Sequence, residues 1–355
     1  MKCAATFLAL VCLFRLGSAL NSWQLPDPAD LKSAINADLD MDWLAFKKSY
    51  NRTYNSNIQE MERRIYWEDS IKFIQDHNIR FDRGEETYTV GENDFADMGD
   101  DEFRRMYLSG LIIPTELAQK QEEDVVDDDD EIDEDPPLMV DWRTRGVVSP
   151  VKNQGRCGAC WAFSALGSLE AAVKIKTEWT VHLSEQELLD CSYLGYYGNY
   201  GCHGGLMTNA FKYIEETGGV DTEGCYRYRA KRSSQCFRKS LCAVAPIKRH
   251  RNTRRGSERN LALTVAHIGP VSVGVDADSR GFKYYKRGLY YNRSCNKWAL
   301  NHAMVNVGYG TSVHGNYWIM KNSWGRTWGD HGYIFMAKDK GDTCGITRQA
   351  SYPVL

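Results

Sequence analysis

At 355 residues, 43% of them hydrophobic and 12% aromatic, the chain is long enough for one large domain or two ordinary ones and too apolar to be disordered throughout. A formal charge of −3 conceals two oppositely charged parts: up to Asp135 there are 14 Lys and Arg against 31 Asp and Glu, and from Pro136 onward 30 against 16. The chain as a whole can build real cores.

The chain opens with "MKCAATFLALVCLFRLGSALN", which has one early lysine, an apolar run from Cys3 to Phe14, and small Gly17 and Ala19 before Leu20. This pattern predicts a secretory signal over residues 1–19. The run is shorter than the ~20 apolar residues that span a bilayer, and no later segment is apolar enough, so no transmembrane segment is expected. Entry into an oxidising compartment makes cysteine parity informative. Of eleven cysteines, Cys3 and Cys12 leave with the signal; nine remain, and an odd number predicts one unpaired thiol.

Residues 20–121 contain two amphipathic helical patterns, marked by Trp43, Phe46 and Tyr50 and by Ile71, Ile74 and Asn78. Residues 122–137 form an acidic linker: eleven of the fourteen residues from Glu122 to Asp135 are Asp or Glu, a composition that cannot collapse into a core. In residues 138–355, helical patterns over Cys160–Lys176 and Ser184–Leu189 precede strand-like runs, "PVSVGVDA", "GLYY", "HAMVNVGYG", "NYWIMKNSWG" and "GYIFMAKD". This half reads as helical first and β-rich second.

The chemistry-bearing stretch is "NQGRCGACWAF", Asn153 to Phe163. No second close Cys/His cluster completes a tetrahedral zinc site, and the flanks do not form a thioredoxin-like strand–helix unit. A thiol becomes a strong nucleophile as thiolate, a form favoured at a helix N-terminus beside a protonatable base. Cys160 begins the pattern "CWAFSALGSLEAAVKIK". His302, 142 residues on in "LNHAMVNVGYG", is the candidate base, and Asn322 in "KNSWGRTWG" could fix its tautomer.

Together, "QGRCGACWAFS", "CHGGLM", "NHAMVNVGYG" and "KNSWGRTWGDHGY" resemble the papain family of cysteine peptidases, in its cathepsin L-like branch with cathepsins S and K alongside. The resemblance implies an α+β, papain-like two-lobed fold, with a helical left lobe and a β-rich right lobe. It makes Cys160 the nucleophile, His302 the acid/base and Asn322 its orienting partner, with Gln154 donating to the oxyanion. It places the substrate backbone along Gly204 and Gly205, the pocket for the residue two before the cut at Leu206, Met207, Gly274, Leu300, Ala303 and Gln349, and Trp324 on the leaving-group side. Gln349 stands where relatives often have a small or apolar residue, so some tolerance of polar side chains is expected. Asn301, before the histidine, replaces a common aspartate.

The resemblance also implies the bridges Cys157–Cys202, Cys191–Cys236 and Cys295–Cys344. Cys225 and Cys242 fall outside the usual pattern, and a fourth bridge between them is an expectation of a different kind. Residues 20–121 resemble the family's α-helical inhibitory propeptide through Glu60, Arg64, Trp67, Ile74 and Asn78, with Ser70 where asparagine is usual, and through Gly91, Asn93, Phe95 and Asp97. In the family this segment crosses the cleft in reverse polarity and is cut near the junction, here near Pro136 to Met139.

The expected partners are peptide or protein substrates, the chain's own propeptide, and a glycosaminoglycan or other polyanion at Arg227–Arg259, where twelve Lys and Arg face only Glu258. No nucleic-acid recognition motif, cofactor or metal is expected, and the protein should be a monomer in the lysosome or outside the cell. Asn51 in "NRT" and Asn292 in "NRS" are glycan acceptor sequons. The rival readings are a catalytically silent relative that binds or inhibits, and a polyanion-binding protein that needs no free thiol.

Overall fold

A computed structural model describes residues 28–108, 110–111 and 134–355. The expected signal (1–19) and most of the acidic linker lie outside the described residues. The chain divides into two compact units, one holding residues up to Phe73 with Ala96–Gly99 and the other Ile74–Phe95 with Asp100–Leu355.

In the first unit, the helix Asp40–Ser49 and the first part of the helix Asn57–Asp82 bury Trp43, Phe46 and Trp67 with Ala96. Arg64 is buried among these aromatics, its charge matched by Glu68 at 2.6 Å, four residues on. Ser70 lies where asparagine is usual, yet its buried hydroxyl is within 2.8 Å of the Ala96 carbonyl, so the shorter side chain still reaches the second motif. Tyr54 donates to Asp97 at 2.8 Å.

In the second unit a nine-stranded sheet carries the β-rich half. At its centre the long strand His302–Ser312 pairs antiparallel with Gly315–Lys321 on one side and Val271–Val275 on the other. The strand Tyr88–Val90 extends one edge by pairing with Tyr285–Tyr290, and Arg249–Asn252 forms the opposite edge. The strand-like runs of the sequence all become strands, and the helices Cys160–Thr177 and Glu185–Cys191 form where the pattern puts them.

The helix Cys160–Thr177 is mostly buried from Cys160 to Val173, where it packs between helical neighbours and the sheet, and its last turn is exposed. Ser164 donates to the Met304 carbonyl at 2.7 Å, and a Cβ on Gly167 would lie 2.8 Å from Val305, so this glycine permits the close approach of helix to strand. Helices at Asp100–Tyr107, Met207–Thr217 and Glu258–His267 add to those read from periodicity. Among the described residues four disulfides are formed: Cys157–Cys202, Cys191–Cys236, Cys225–Cys242 and Cys295–Cys344. Cys160 is the free cysteine among the described residues. No helix among them is long and apolar enough to cross a membrane.

Candidate active site

Cys160 is the first residue of its helix, following Ala159, which offers no side-chain cap. The unsatisfied N–H groups and about half an elementary charge of the helix dipole therefore lie at its sulfur. The bridge from Cys157 to Cys202, the hydrogen bond from Gly158 N to the Cys202 carbonyl at 2.9 Å and the bridge of Gly158 to His203 tie the preceding loop to the glycine-rich segment.

His302 starts the central strand, and Val275 opposite it fixes its register. Its Nε2 is 2.8 Å from Asn322 Oδ1. The Ser323 N–H donates to that same oxygen at 2.8 Å, so the amide is held with its oxygen toward the ring. An acceptor there requires the proton on Nε2, which leaves Nδ1 as the basic nitrogen of a neutral ring. Trp324 covers the pair, with its ring centroid 4.5 Å from that of His302.

Gln154 is fully buried: Ser323 Oγ donates to its Oε1 at 2.7 Å, and its Nε2 donates to the Cys157 carbonyl at 2.8 Å. One N–H uses that carbonyl, and the amide has a second.

Gly205 N donates to the Gly110 carbonyl at 3.2 Å, and Leu111 bridges Gly205 in parallel. A Cβ on Gly205 would lie 2.5 Å from Asn199 Oδ1 and 2.8 Å from Trp161, so only glycine lets the backbone run there. A Cβ on Gly274 would lie 2.8 Å from Leu111 Cδ2 and 3.2 Å from both Leu300 and Gln349, which makes these three residues neighbours around Gly274. Leu206, Met207, Leu300 and Ala303 belong to the same buried cluster as Leu111 and Cys160. Gly204 accepts from Tyr200 N at 2.7 Å.

Residues between 95 and 111 make four further contacts with the site. Gly110 lies against the Cys160 sulfur so closely that a Cβ would collide with it. Phe95, Phe103 and Tyr107 surround Trp324 edge-on, with centroids 5.3, 5.4 and 6.1 Å away. The spacing of Phe103 and Tyr107, four apart, was the available signal for this face.

This cover has an electrostatic effect. Burial pushes the Cys160 thiol up to about 12, although backbone groups of Ala303, Trp161 and Cys160 itself favour the thiolate. Burial likewise pushes His302 down to about 4, against the pull of Asn322 and the Tyr107 backbone. Burial thus favours a neutral thiol at Cys160 and a neutral imidazole at His302.

A model of the papain family of cysteine proteases matches residues 136–354. This chain belongs to that family. The cathepsin propeptide inhibitor domain matches residues 43–103 of the same protease. It is similar to mouse (Mus musculus) cathepsin K, 40% identical over 317 residues that cover 89% of this chain and 94% of that one. Bovine (Bos taurus) cathepsin S is 42% identical, covering 89% and 93%. Among solved structures, digestive procathepsin L 3 from the larval midgut of Tenebrio molitor has a TM-score of 0.81 at 36% identity, covering 90% of this chain and 100% of that one. The recombinant stem bromelain precursor has a TM-score of 0.76 at 33% identity, covering 90% and 99%. The protease is thus a hydrolase with a papain-like fold that carries its own inhibitor domain.

Asn51 is exposed and adopts a left-handed backbone conformation, and Asn292 caps a turn through the Ser294 N–H at 2.9 Å. In the basic stretch, Arg238 is committed to Glu187 at 3.0 Å, and Arg259 donates to the Glu134 carbonyl at 2.9 Å with Asp135 at 3.6 Å.

Proposed function

We propose that the protease is an endopeptidase in which Cys160 is the nucleophile, His302 the acid/base, Asn322 its orienting partner and Gln154 an oxyanion donor. The observation that carries this reading is the unpaired Cys160 at a helix N-terminus, with the Gly110 backbone laid on its sulfur. Once that cover leaves, the sulfur passes its proton to His302 Nδ1, and the helix terminus and imidazolium favour the resulting thiolate. The thiolate adds to the substrate carbonyl carbon, and the oxyanion takes hydrogen bonds from Gln154 Nε2 and the Cys160 backbone N–H. Collapse breaks the C–N bond; the leaving amine takes the Nδ1 proton, and a thioester remains. Water then gives a proton to Nδ1 as it attacks, and collapse of the second intermediate releases the acid and the sulfur.

The residue two before the cut would enter the opening between Gly274, Leu300 and Gln349, where Leu111 supports an aliphatic preference and the amide of Gln349 some polar tolerance. We place the mature enzyme after cleavage near Pro136 to Met139, a segment whose Leu138 and Met139 are exposed. The signal over 1–19 would direct it to a lysosome or outside the cell, with glycans on Asn51 and Asn292, and the Arg227–Arg259 region would hold a polyanion. Titration of the acid-activated protein with an epoxide inhibitor of cysteine peptidases should consume one equivalent, place the adduct on Cys160 and abolish peptide cleavage. An adduct elsewhere, or cleavage that survives Cys160→Ala, defeats the assignment.

A further inference from the structure

Arg156 lies two residues after Gln154 and next to Cys157, in the middle of the nucleophile motif, and its side chain is 58% exposed. Its Nη2 donates to Glu102 Oε1 at 2.6 Å, and its Nε is 3.2 Å from Met106 Sδ. Glu102 and Met106 are four apart on the helix Asp100–Tyr107, so they share one face. The adjoining face, with Phe103 and Tyr107, covers Trp324.

From this helix the chain continues to Gly110 at the Cys160 sulfur and then to Leu111 at Gly205 and Gly274. Along the chain the inhibitor segment therefore meets Arg156 and Trp324 before the sulfur, and Gly205 and Gly274 after it. With Cys160 read as nucleophile, and the residues around Gly274 as the pocket on the acyl side, Arg156 borders the path of the leaving-group half of a substrate. Glu102, only 13% exposed, already shows that a carboxylate can be seated there. The two hydrogen bonds described for Arg156 both go to the inhibitor segment, and both end when it departs. A guanidinium left at the rim of a cleft presents a planar fork of donors that fits a carboxylate. Nearby, Arg280 and Lys283 pair with Asp100, and Asp278 with Arg104, so the surrounding surface holds both signs and does not repel an anion as a whole.

We propose that Arg156 is a specificity-determining residue of the mature protease, favouring substrates with an acidic side chain on the leaving-group side of the scissile bond, in the seat Glu102 occupies in the proenzyme. This rests on the reading of Cys160 as nucleophile. The resemblance to the family's propeptide implies reverse polarity, in which case the seat is shared while the sequence register is not.

The test uses the acid-activated protease and internally quenched peptides that differ only by Glu, Gln or Lys at each of the first three positions after the cut. At low salt, kcat/KM for Glu over Gln should be about three- to fivefold at one position, the size of an exposed ion pair, and should shrink as salt rises. The ratio should fall to near one in Arg156→Gln, persist in Arg156→Lys and turn toward Lys in Arg156→Glu. Because each ratio is internal to one variant, a general change in activity cancels. An equal ratio in wild type and Arg156→Gln, or no charge preference in wild type, overturns the role of Arg156 alone. Failure to cleave any peptide, with Cys160 unlabelled by the epoxide, overturns the nucleophile reading and this inference with it.

Discussion

His302 is the residue through which acid can act on the covered site. Its pKa is depressed, so the covered state binds fewer protons than the open one between the ordinary histidine value of 6.5 and about 4. Closure is therefore fully favoured above pH 6.5 and weakens as pH falls through that window, by on the order of 3 kcal/mol at its end. While covered, Cys160 stays a protonated thiol because burial raises its pKa, and with serine in its place no thiol titrates, so the acid response of that variant belongs to His302. The expected outcome concerns a Cys160→Ser proenzyme, which cannot cut itself. Amide exchange at Gly110 and Leu111, corrected for intrinsic rate, should lose protection starting near pH 6.5, before ordinary carboxylates near 4 are protonated. Protection that stays flat to pH 5 would show that His302 does not drive the opening.

At the scale of elements, the helix bearing Cys160 and the strand leading to Asn322 are joined through a buried charge network. Glu170, on that helix, accepts from Ser149 Oγ at 2.5 Å, Lys152 Nζ at 2.8 Å and Leu183 N at 2.9 Å. Ser149 Oγ in turn accepts from Lys321 Nζ at 2.9 Å, and Lys321 directly precedes Asn322. Burial pushes the Glu170 carboxyl up, but Lys152 and Lys321 outweigh it and hold it below the ordinary range; burial also pulls Lys321 down to about 8. Glu170→Ala would strand a buried lysine and should lower unfolding stability by about 3–5 kcal/mol, read from urea midpoints at constant slope. A loss under about 1 kcal/mol would mean that water or Glu185 takes over its charge.

Elements differ in how far sequence reveals them. The Cys160 helix and the central strands were legible because long apolar repeats at period 3.6 or 2 survive local noise, and the Cys160, His302 and Asn322 motifs because their residue types are individually informative. Helices such as Asp100–Tyr107 were not, because eight residues with only Phe103 and Tyr107 buried give too short a stripe. Nor does a local pattern encode Gly110 at the sulfur or Glu102 at Arg156; these contacts join residues about fifty apart, and their reason is the shape of the site they cover.

For the whole molecule, the division of charge noted in the sequence becomes a matter of surfaces. Glu258, the one acidic residue from Arg227 to Arg259, is consumed: its oxygens accept from Trp318 Nε1 and from the Asp339 and Asp342 N–H groups. Arg249 and Arg254 remain exposed on and beside the edge strand Arg249–Asn252, while Arg259 is met by Asp135, at the end of the acidic linker. Such a face attracts polyanions through long-range charge, a force that falls away beyond a Debye length of about 8 Å at physiological salt. If removal of residues up to the junction uncovers it, the mature protease should elute from a heparin column at higher salt than the proenzyme. Arg249→Glu with Arg254→Glu should bring that elution down, while leaving peptide cleavage intact, since the strands Val271–Val275 and Ala350–Val354 lie between the edge strand and that of His302. Identical elution of mature protease, proenzyme and variant would show that the basic stretch is only a solvated face.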